Sequence, residues 1–184
     1  SEPDSLILIA VQNQQGSCNG GSDGIALVGE LGGTAPFVYQ WDDPALQTPE
    51  QATGLDAGVY NVVVTDANLC VAQASVEITE PSPINIAVSI SEPNCNGASD
   101  GEIEAIASGG TPGFTYEWNP GSINANPITG ITAGTYSVVA TDANGCEGQL
   151  QNILVQEPSA VVLSLVGQQN ISCFGSDDGQ AEIS

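Results

Sequence analysis

The sequence predicts an all-β protein made of tandem β-sandwich repeats of about 77 residues, with essentially no helix. Three observations predict it. One stretch is written twice, as Gly54-Leu55-Asp56-Ala57-Gly58-Val59-Tyr60 running on to Thr65-Asp66-Ala67-Asn68-Leu69-Cys70, and as Gly130-Ile131-Thr132-Ala133-Gly134-Thr135-Tyr136 running on to Thr141-Asp142-Ala143-Asn144-Gly145-Cys146. Within it apolar residues alternate with period 2, the spacing of a half-buried strand, and no segment with the helical period of 3.6 competes. Gly and Pro, 22 and 11 in number, fall at intervals between the apolar runs, as turn residues do.

Internal repetition divides the chain. Cys18-Asn19-Gly20 with Ser22-Asp23-Gly24 returns as Cys95-Asn96-Gly97 with Ser99-Asp100-Gly101, and a third time as Cys173-Phe174-Gly175 with Asp177, Asp178 and Gly179. Gly32-Gly33-Thr34 with Phe37, Tyr39 and Trp41 returns as Gly109-Gly110-Thr111 with Phe114, Tyr116 and Trp118, and Glu-Pro pairs stand at Glu2-Pro3, Glu80-Pro81 and Glu157-Pro158. The expected units are 1–79, 80–157 and the start of a third over 158–184, where Ala181 to Ser184 match Ile103 to Ile106 and a further stretch is expected to follow.

In the second unit the elements follow in order. Ile84, Ile86, Val88 and Ile90 alternate with smaller residues in a first strand. Ile103, Ala105 and Ala107 face inward along the next, with Glu102 and Glu104 outward. Phe114, Tyr116 and Trp118 share a face and predict an aromatic core, since such rings bury the most apolar area. After a short connection Tyr136, Val138 and Ala140 point inward, and a last strand from Cys146 to about Val155 closes the unit through Ile153 and Val155. Six or seven short strands in 77 residues have the pattern of an immunoglobulin-like sandwich.

Composition excludes several function classes. The chain has no Lys, Arg or His against 22 acidic residues, a formal charge of −22. Phosphate recognition relies on Lys and Arg, so nucleic acid is excluded as a partner, and an anionic bilayer is disfavoured. No apolar run approaches the roughly 20 residues of a membrane helix, and no signal-like segment occurs. The chain is not a disordered acidic tail either, because only 12% of residues are charged and 41% are hydrophobic. Without His or Lys there is no ordinary general base near neutral pH and no Schiff-base amine, and the carboxylates recur with the turns instead of gathering in one cleft, so no enzyme is expected. Lys–Asn cross-links of the kind that strengthen surface fibres are excluded by the absence of lysine.

Taken together, the cysteine and Asp-Gly turn, Gly-Gly-Thr, aromatic-x-Tyr-x-Trp and Ala-Gly-x-Tyr closing on Thr-Asp-Ala-Asn-Gly-Cys resemble the SprB repeat. Only Leu69, where the second copy has Gly145, departs from it, a change expected to alter the turn without touching the core. The resemblance spans essentially the whole chain. It implies an extracellular β-repeat stalk in a long cell-surface adhesin or filament, of the kind that Bacteroidetes export by type IX secretion and use in gliding motility. The partners it implies are further repeats of the same polypeptide, together with surface motility or anchoring machinery and the external surface or polysaccharide that is gripped.

The five cysteines sit at matched positions, which argues for disulfides and an oxidising setting. With neither a Cys-x-x-Cys nor a histidine, zinc is not expected. The expected pairs are Cys18 with Cys70 and Cys95 with Cys146, each stapling one unit, with Cys173 left for a partner past Ser184. The strand count decides the matter: four strands between two cysteines put them at the same end of a sandwich, five at opposite ends. The dozen residues between Trp118 and Ile131 suit one bent strand better than two. The opposite count would join Cys18 to Cys146 and staple neighbouring units.

Among carboxylates, Asp66 and Asp142 in the turns and Glu80 and Glu157 at the linkers are calcium candidates, with Asp23, Asp100, Asp177 and Asp178 beside them, because Ca²⁺ takes several hard oxygens. The competing reading is that Asp here makes turns through local hydrogen bonds. No other cofactor is expected. Ser5, in Asp4-Ser5-Leu6, and Asn170, in Asn170-Ile171-Ser172, fit short glycosylation motifs. Phe37, Tyr39 and Trp41 would suit a carbohydrate platform, although their strand spacing says core. Two alternatives to a spacer are units that bind a polysaccharide or a protein directly, and a laterally assembling filament or sheath subunit, for which Ile7, Ile9 and Val11 are the visible apolar candidates.

Overall fold

The structure, a computed structural model, describes residues 5–170, 172–174, 177 and 179–184. Glu2-Pro3, Asp4, Ile171, Gly175 and Asp178, which figure in the motifs above, lie outside the described residues. No helix occurs among the described residues, and so none long and apolar enough to cross a membrane.

The first unit has six strands: β1 (Ile7–Gln14), β2 (Gly24–Leu31), β3 (Val38–Trp41), β4 (Gln51–Leu55), β5 (Gly58–Thr65) and β6 (Val71–Ile78). They form two antiparallel sheets, in the orders β1-β2-β4 and β3-β5-β6. The second unit repeats this with β7 (Asn85–Ser91), β8 (Gly101–Ser108), β9 (Thr115–Asn119), β10 (Ile128–Ile131), β11 (Gly134–Thr141) and β12 (Glu147–Val155), in the orders β7-β8-β10 and β9-β11-β12. A hairpin of β13 (Leu165–Gln169) and β14 (Gln180–Ile183) stands where β7 and β8 stand one unit earlier.

The strand alternation explains the core. Ala26 and Val28 of β2, Trp41 of β3, Ala52 and Leu55 of β4, Val62 and Val64 of β5, and Val76 and Ile78 of β6 close one cluster between the sheets. The second unit packs Ile103, Ala105, Trp118, Ile128, Ile131, Tyr136, Val138, Ile153 and Val155 in the same way. Of the expected aromatic set Trp118 is fully buried, Tyr116 packs against the cluster, and Phe114 is half-buried just before β9. Two further features are those of an immunoglobulin-like sandwich. A buried Trp sits on the third strand of each unit. A tyrosine at the start of the fifth strand also donates its hydroxyl to a carbonyl four residues back, Tyr60 to Asp56 at 3.2 Å and Tyr136 to Thr132 at 2.9 Å.

The path between β3 and β4 overturns the strand count on which the cysteine pairing rested. β4 turns into β5 through Asp56 and Ala57, so the two run in opposite directions. β2 is antiparallel to β4 and β3 to β5, which makes β3 and β4 run the same way. Residues 42–50 must therefore carry the chain back across the sandwich without forming a strand of their own. That fifth crossing places Cys18 and Cys70 at opposite ends of the unit, and Cys95 and Cys146 likewise. Neither expected pair forms. Cys18 is bonded instead to Cys146, with their Cα atoms 5.6 Å apart, and Cys70, Cys95 and Cys173 are free and exposed.

Candidate functional site: the junction between the units

The upper end of each unit is built on one buried aspartate. Asp142 accepts the backbone N–H of Thr111 at 2.8 Å on Oδ2 and those of Asn144 and Cys146, both at 2.9 Å, on Oδ1. A single carboxylate thereby ties the Gly-Gly-Thr turn to the Asp-Ala-Asn-Gly-Cys turn. Asp66 does the same with Thr34, Asn68 and Cys70. The N–H of Thr111 holds the Asp142 carboxyl below its ordinary value, and the other turn amides outweigh the opposing effect of burial. At Asp66 burial pushes upward most strongly, and the combined backbone donors still bring the group below the ordinary value. Asn144 Nδ2 bridges the two turns by donating to Thr111 Oγ1 at 3.0 Å, as Asn68 does to Thr34 at 2.9 Å.

The lower end of each unit carries the first cysteine on a loop held from two sides. Asp23 accepts the N–H of Ser17 at 2.9 Å, and the Ser17 side chain first and this N–H second hold its carboxyl below the usual range. From the linker, Glu80 accepts Asn19 Nδ2 at 2.7 Å and the N–H of Gly20 at 2.6 Å. The second unit repeats both holds. Asp100 accepts the N–H and Nδ2 of Asn94, and Glu157 accepts Asn96 Nδ2 and the N–H of Gly97, each at 2.7 Å.

Where the units meet, the lower end of the first abuts the upper end of the second. Besides the Cys18–Cys146 bond, Asn144 Nδ2 donates to the carbonyl of Ser17 at 3.0 Å, and the N–H of Gly110 donates to the linker carbonyl of Ser82 at 2.8 Å. Gly109 admits the linker: its φ is +81°, and a Cβ there would lie 2.1 Å from the carbonyl oxygen of Pro83. A small cavity remains between Cys18, Asn19, Pro81, Ile84, Asp142 and Cys146. Chemically the arrangement is a covalent and hydrogen-bonded clamp. It brings together Cys18 and Glu80 of the expected residues with Cys146 and Asp142.

Cys70 and Cys95 lie at the two outer ends instead. Asn144, Ser17 and Gly109 were not singled out by sequence reasoning, although Asn144 and Gly109 repeat as Asn68 and Gly32. Among the described residues no three Asp, Glu, His or Cys side chains converge as a metal site would require. Ser5 and Asn170 are exposed. Trp41, 1% exposed, belongs to the core and not to a surface platform.

Comparison with known proteins follows the repeats. The SprB repeat family model matches residues 12–46 and 87–123, the same portion of each unit. No curated protein matches the chain. Among solved structures, murine CEACAM1b is similar to it at 12% identity with a TM-score of 0.35, over 83% of this chain and all of that one. Immunoglobulin domains 1–5 of Sidekick-1 match at 14% identity and a TM-score of 0.38, over 91% of this chain and 42% of that one. The full ectodomain of mouse nectin-like molecule 4 matches at 14% and 0.35, over 87% and 67%. The strand order and the tyrosine corners, not these scores, carry the fold assignment.

Proposed function

We propose, for a chain that carries SprB repeats in both of its complete units, that it is a spacer: a length of stalk from a long extracellular adhesin or filament. The observation that carries this reading is the clamped junction. A binding module has no need to fix its neighbour's orientation, whereas a stalk that must hold a tip away from a cell does. In this reading the Cys18–Cys146 bond, the Asn144 hydrogen bond and the Glu80 hold on the cysteine loop limit bending between successive units, and Pro81 and Pro83 stiffen the linker by fixing φ. The finer parts of the proposal are export by type IX secretion, a place at the bacterial surface, and work in adhesion and gliding through motility or anchoring machinery. They rest on the SprB resemblance. The reading assigns the chain no catalytic step.

Solution scattering of the chain, with and without reductant and chelator at fixed ionic strength, tests the proposal. An elongated particle under oxidising conditions, bending more freely once Cys18–Cys146 is reduced while each sandwich stays folded, is the expected result. A compact oxidised particle, or one whose bending ignores reduction, would overturn the clamp. The chelator arm tests the calcium expectation for Asp66, Asp142, Glu80 and Glu157, and an unchanged profile removes it.

A second reading draws on a different observation. Ile7, Ile9 and Val11 are 52%, 59% and 46% exposed, and Leu31, opposite Ile7, is 64% exposed. They form an apolar row on the first unit that Asn85, Ala87 and Ser89 do not continue on the second. Lateral assembly through that row predicts sedimentation that grows heavier with concentration, where a spacer stays monomeric when its free thiols are blocked.

A further inference from the structure

We propose that the second unit carries a strand-addition groove at the open edge of β9, which takes an extended peptide segment of another protein that bears Lys or Arg at alternate positions. The inference is separate from the spacer reading and uses no property of the junction between the units.

The groove opens where a β-ladder stops short. After β9 the chain turns back, and Trp118 and Ile123 exchange both backbone hydrogen bonds, at 3.0 and 3.1 Å. Carried on in the same antiparallel register, the ladder would next set Tyr116 against Ala125. It is not carried on. Asn126 is drawn to the other sheet instead, where its Oδ1 accepts the N–H of Ala105 at 2.8 Å and its Nδ2 donates to the carbonyl of Ala105 at 2.7 Å. That side chain does for β8 what a strand backbone would do, and residues 124–126 part from β9. Between them lies a cleft of about 610 Å³ lined by Phe114, Tyr116, Glu117 and Asn124.

The backbone along this cleft is open. In an antiparallel strand, residues alternate in which neighbour their N–H and carbonyl address. Trp118 turns both groups to Ile123 and away from β11, so Tyr116, two residues earlier, turns both of its groups the same way. Neither has a partner among the described residues. A donor and an acceptor exposed together on a strand edge are the complement of another strand's backbone.

Side chains select the occupant. Phe114 and Tyr116 are half-buried, and Tyr116 packs against the core, whereas Thr115 and Glu117 between and after them are exposed. An added strand therefore presents apolar residues beside the two rings and its alternate residues beside Glu117. Glu147 of β12 lies on the same outer face, across Thr141 from Thr115. With no Lys, Arg or His anywhere in the chain to offset these carboxylates, cationic residues suit the outer positions. A second copy, with the same carboxylates and a charge of −22, does not.

Solution NMR of the full chain, titrated with capped peptides, tests the proposal. A peptide alternating Val and Lys should slow hydrogen exchange at the Tyr116 N–H by about tenfold at nine-tenths saturation, and a Val-Glu peptide should not. N-methylating the Val amides or the Lys amides, whichever set faces β9, should abolish that protection, while methylating the other set spares it. Glu117→Gln should weaken the Val-Lys peptide about two- to fivefold and leave a Val-Thr peptide unchanged. No protection of Tyr116 at millimolar peptide overturns the groove. Protection that ignores both methylations reports counterion attraction only and overturns it equally. Protection by maltohexaose but by no peptide would replace the peptide with a neutral saccharide.

Discussion

Leu69 occupies a backbone conformation that suits a residue without a side chain. Its φ is +65°, close to the +84° of Gly145, and both donate their N–H to the preceding aspartate's carbonyl, at 3.0 and 3.1 Å. The expected change of turn does not occur: the buried Asp66 holds the turn in place, and Leu69 takes the left-handed conformation, its side chain 81% exposed. That conformation costs an L-residue about 1–2 kcal/mol, against about 0.4–1 kcal/mol for the added freedom of glycine in the unfolded chain. Leu69→Gly should therefore stabilise the first unit by roughly 0.5–1 kcal/mol, read as a rise of a few degrees in its melting temperature. The two core tryptophans differ as well. Trp41 Nε1 donates to the carbonyl of Pro49 at 3.0 Å, whereas Trp118 Nε1 is buried with no partner among the described residues. Replacement by Phe should cost about 1 kcal/mol more at Trp41 than at Trp118, measured by denaturant unfolding. The aspartates set the response to acid. Asp23, Asp42, Asp43, Asp66, Asp100 and Asp142 are all held below the ordinary value in the folded state. Their contribution is fully present above the unfolded value of about 3.9 and is lost as pH falls through the lower folded values. The melting temperature should drop on acidification below about pH 4, and Asp142→Asn should flatten that drop for the second unit.

At the scale of elements, the linker does more than its prolines suggest. Glu80 reaches back to Asn19 and Gly20, so it fixes the loop that carries Cys18 and sets where the next unit begins. Glu80→Ala removes two charge-assisted hydrogen bonds, each worth up to about 1.5–3 kcal/mol in a protected setting and less on this exposed surface. The expected outcome is a broader range of inter-unit angles in solution scattering, with both sandwiches melting almost as before. An unchanged angular range would show that the junction is held without the Glu80 contacts. Strand identities were readable because burial on one face imposes period 2, as Ile103, Ala105, Glu102 and Glu104 of β8 show. Residues 42–50 and their counterparts 120–127 were not readable as a crossing. They have no alternation, and their hydrogen bonds go to irregular partners such as Asp43, which accepts from Ala45 and Gln47.

Charge and cross-linking govern the behaviour of the whole molecule. A net charge of −22 with no cation to offset it favours any state that spreads the carboxylates apart, and salt screens that repulsion, the Debye length falling from about 30 Å at 0.01 M to about 8 Å at 0.15 M. Raising NaCl across that range should raise the melting temperature, and a flat or falling response would mean that the folded state already spaces its charges as widely as the unfolded chain. The same repulsion opposes edge-to-edge pairing of the sandwiches. The disulfide spans a separation of 128 residues, a loop for which chain entropy gives roughly 5 kcal/mol. Because it joins two sandwiches that each have their own core, it couples their positions instead of completing either core.

The sequence by itself determined the class of fold, the repeat length, the core residues and the acidic, lysine-free surface. These follow from alternation, recurrence and composition, all of which are local or additive properties of the chain. Tertiary structure alone decided which cysteines meet. That choice depended on the direction of travel through residues 42–50, and direction is a sum over every crossing of the sandwich, so one irregular crossing reversed the answer. It also decided that Glu80 and Asp142 serve the junction, because their partners, Asn19 and the N–H of Thr111, are 61 and 31 residues away in sequence and come within reach only once the sheets have closed.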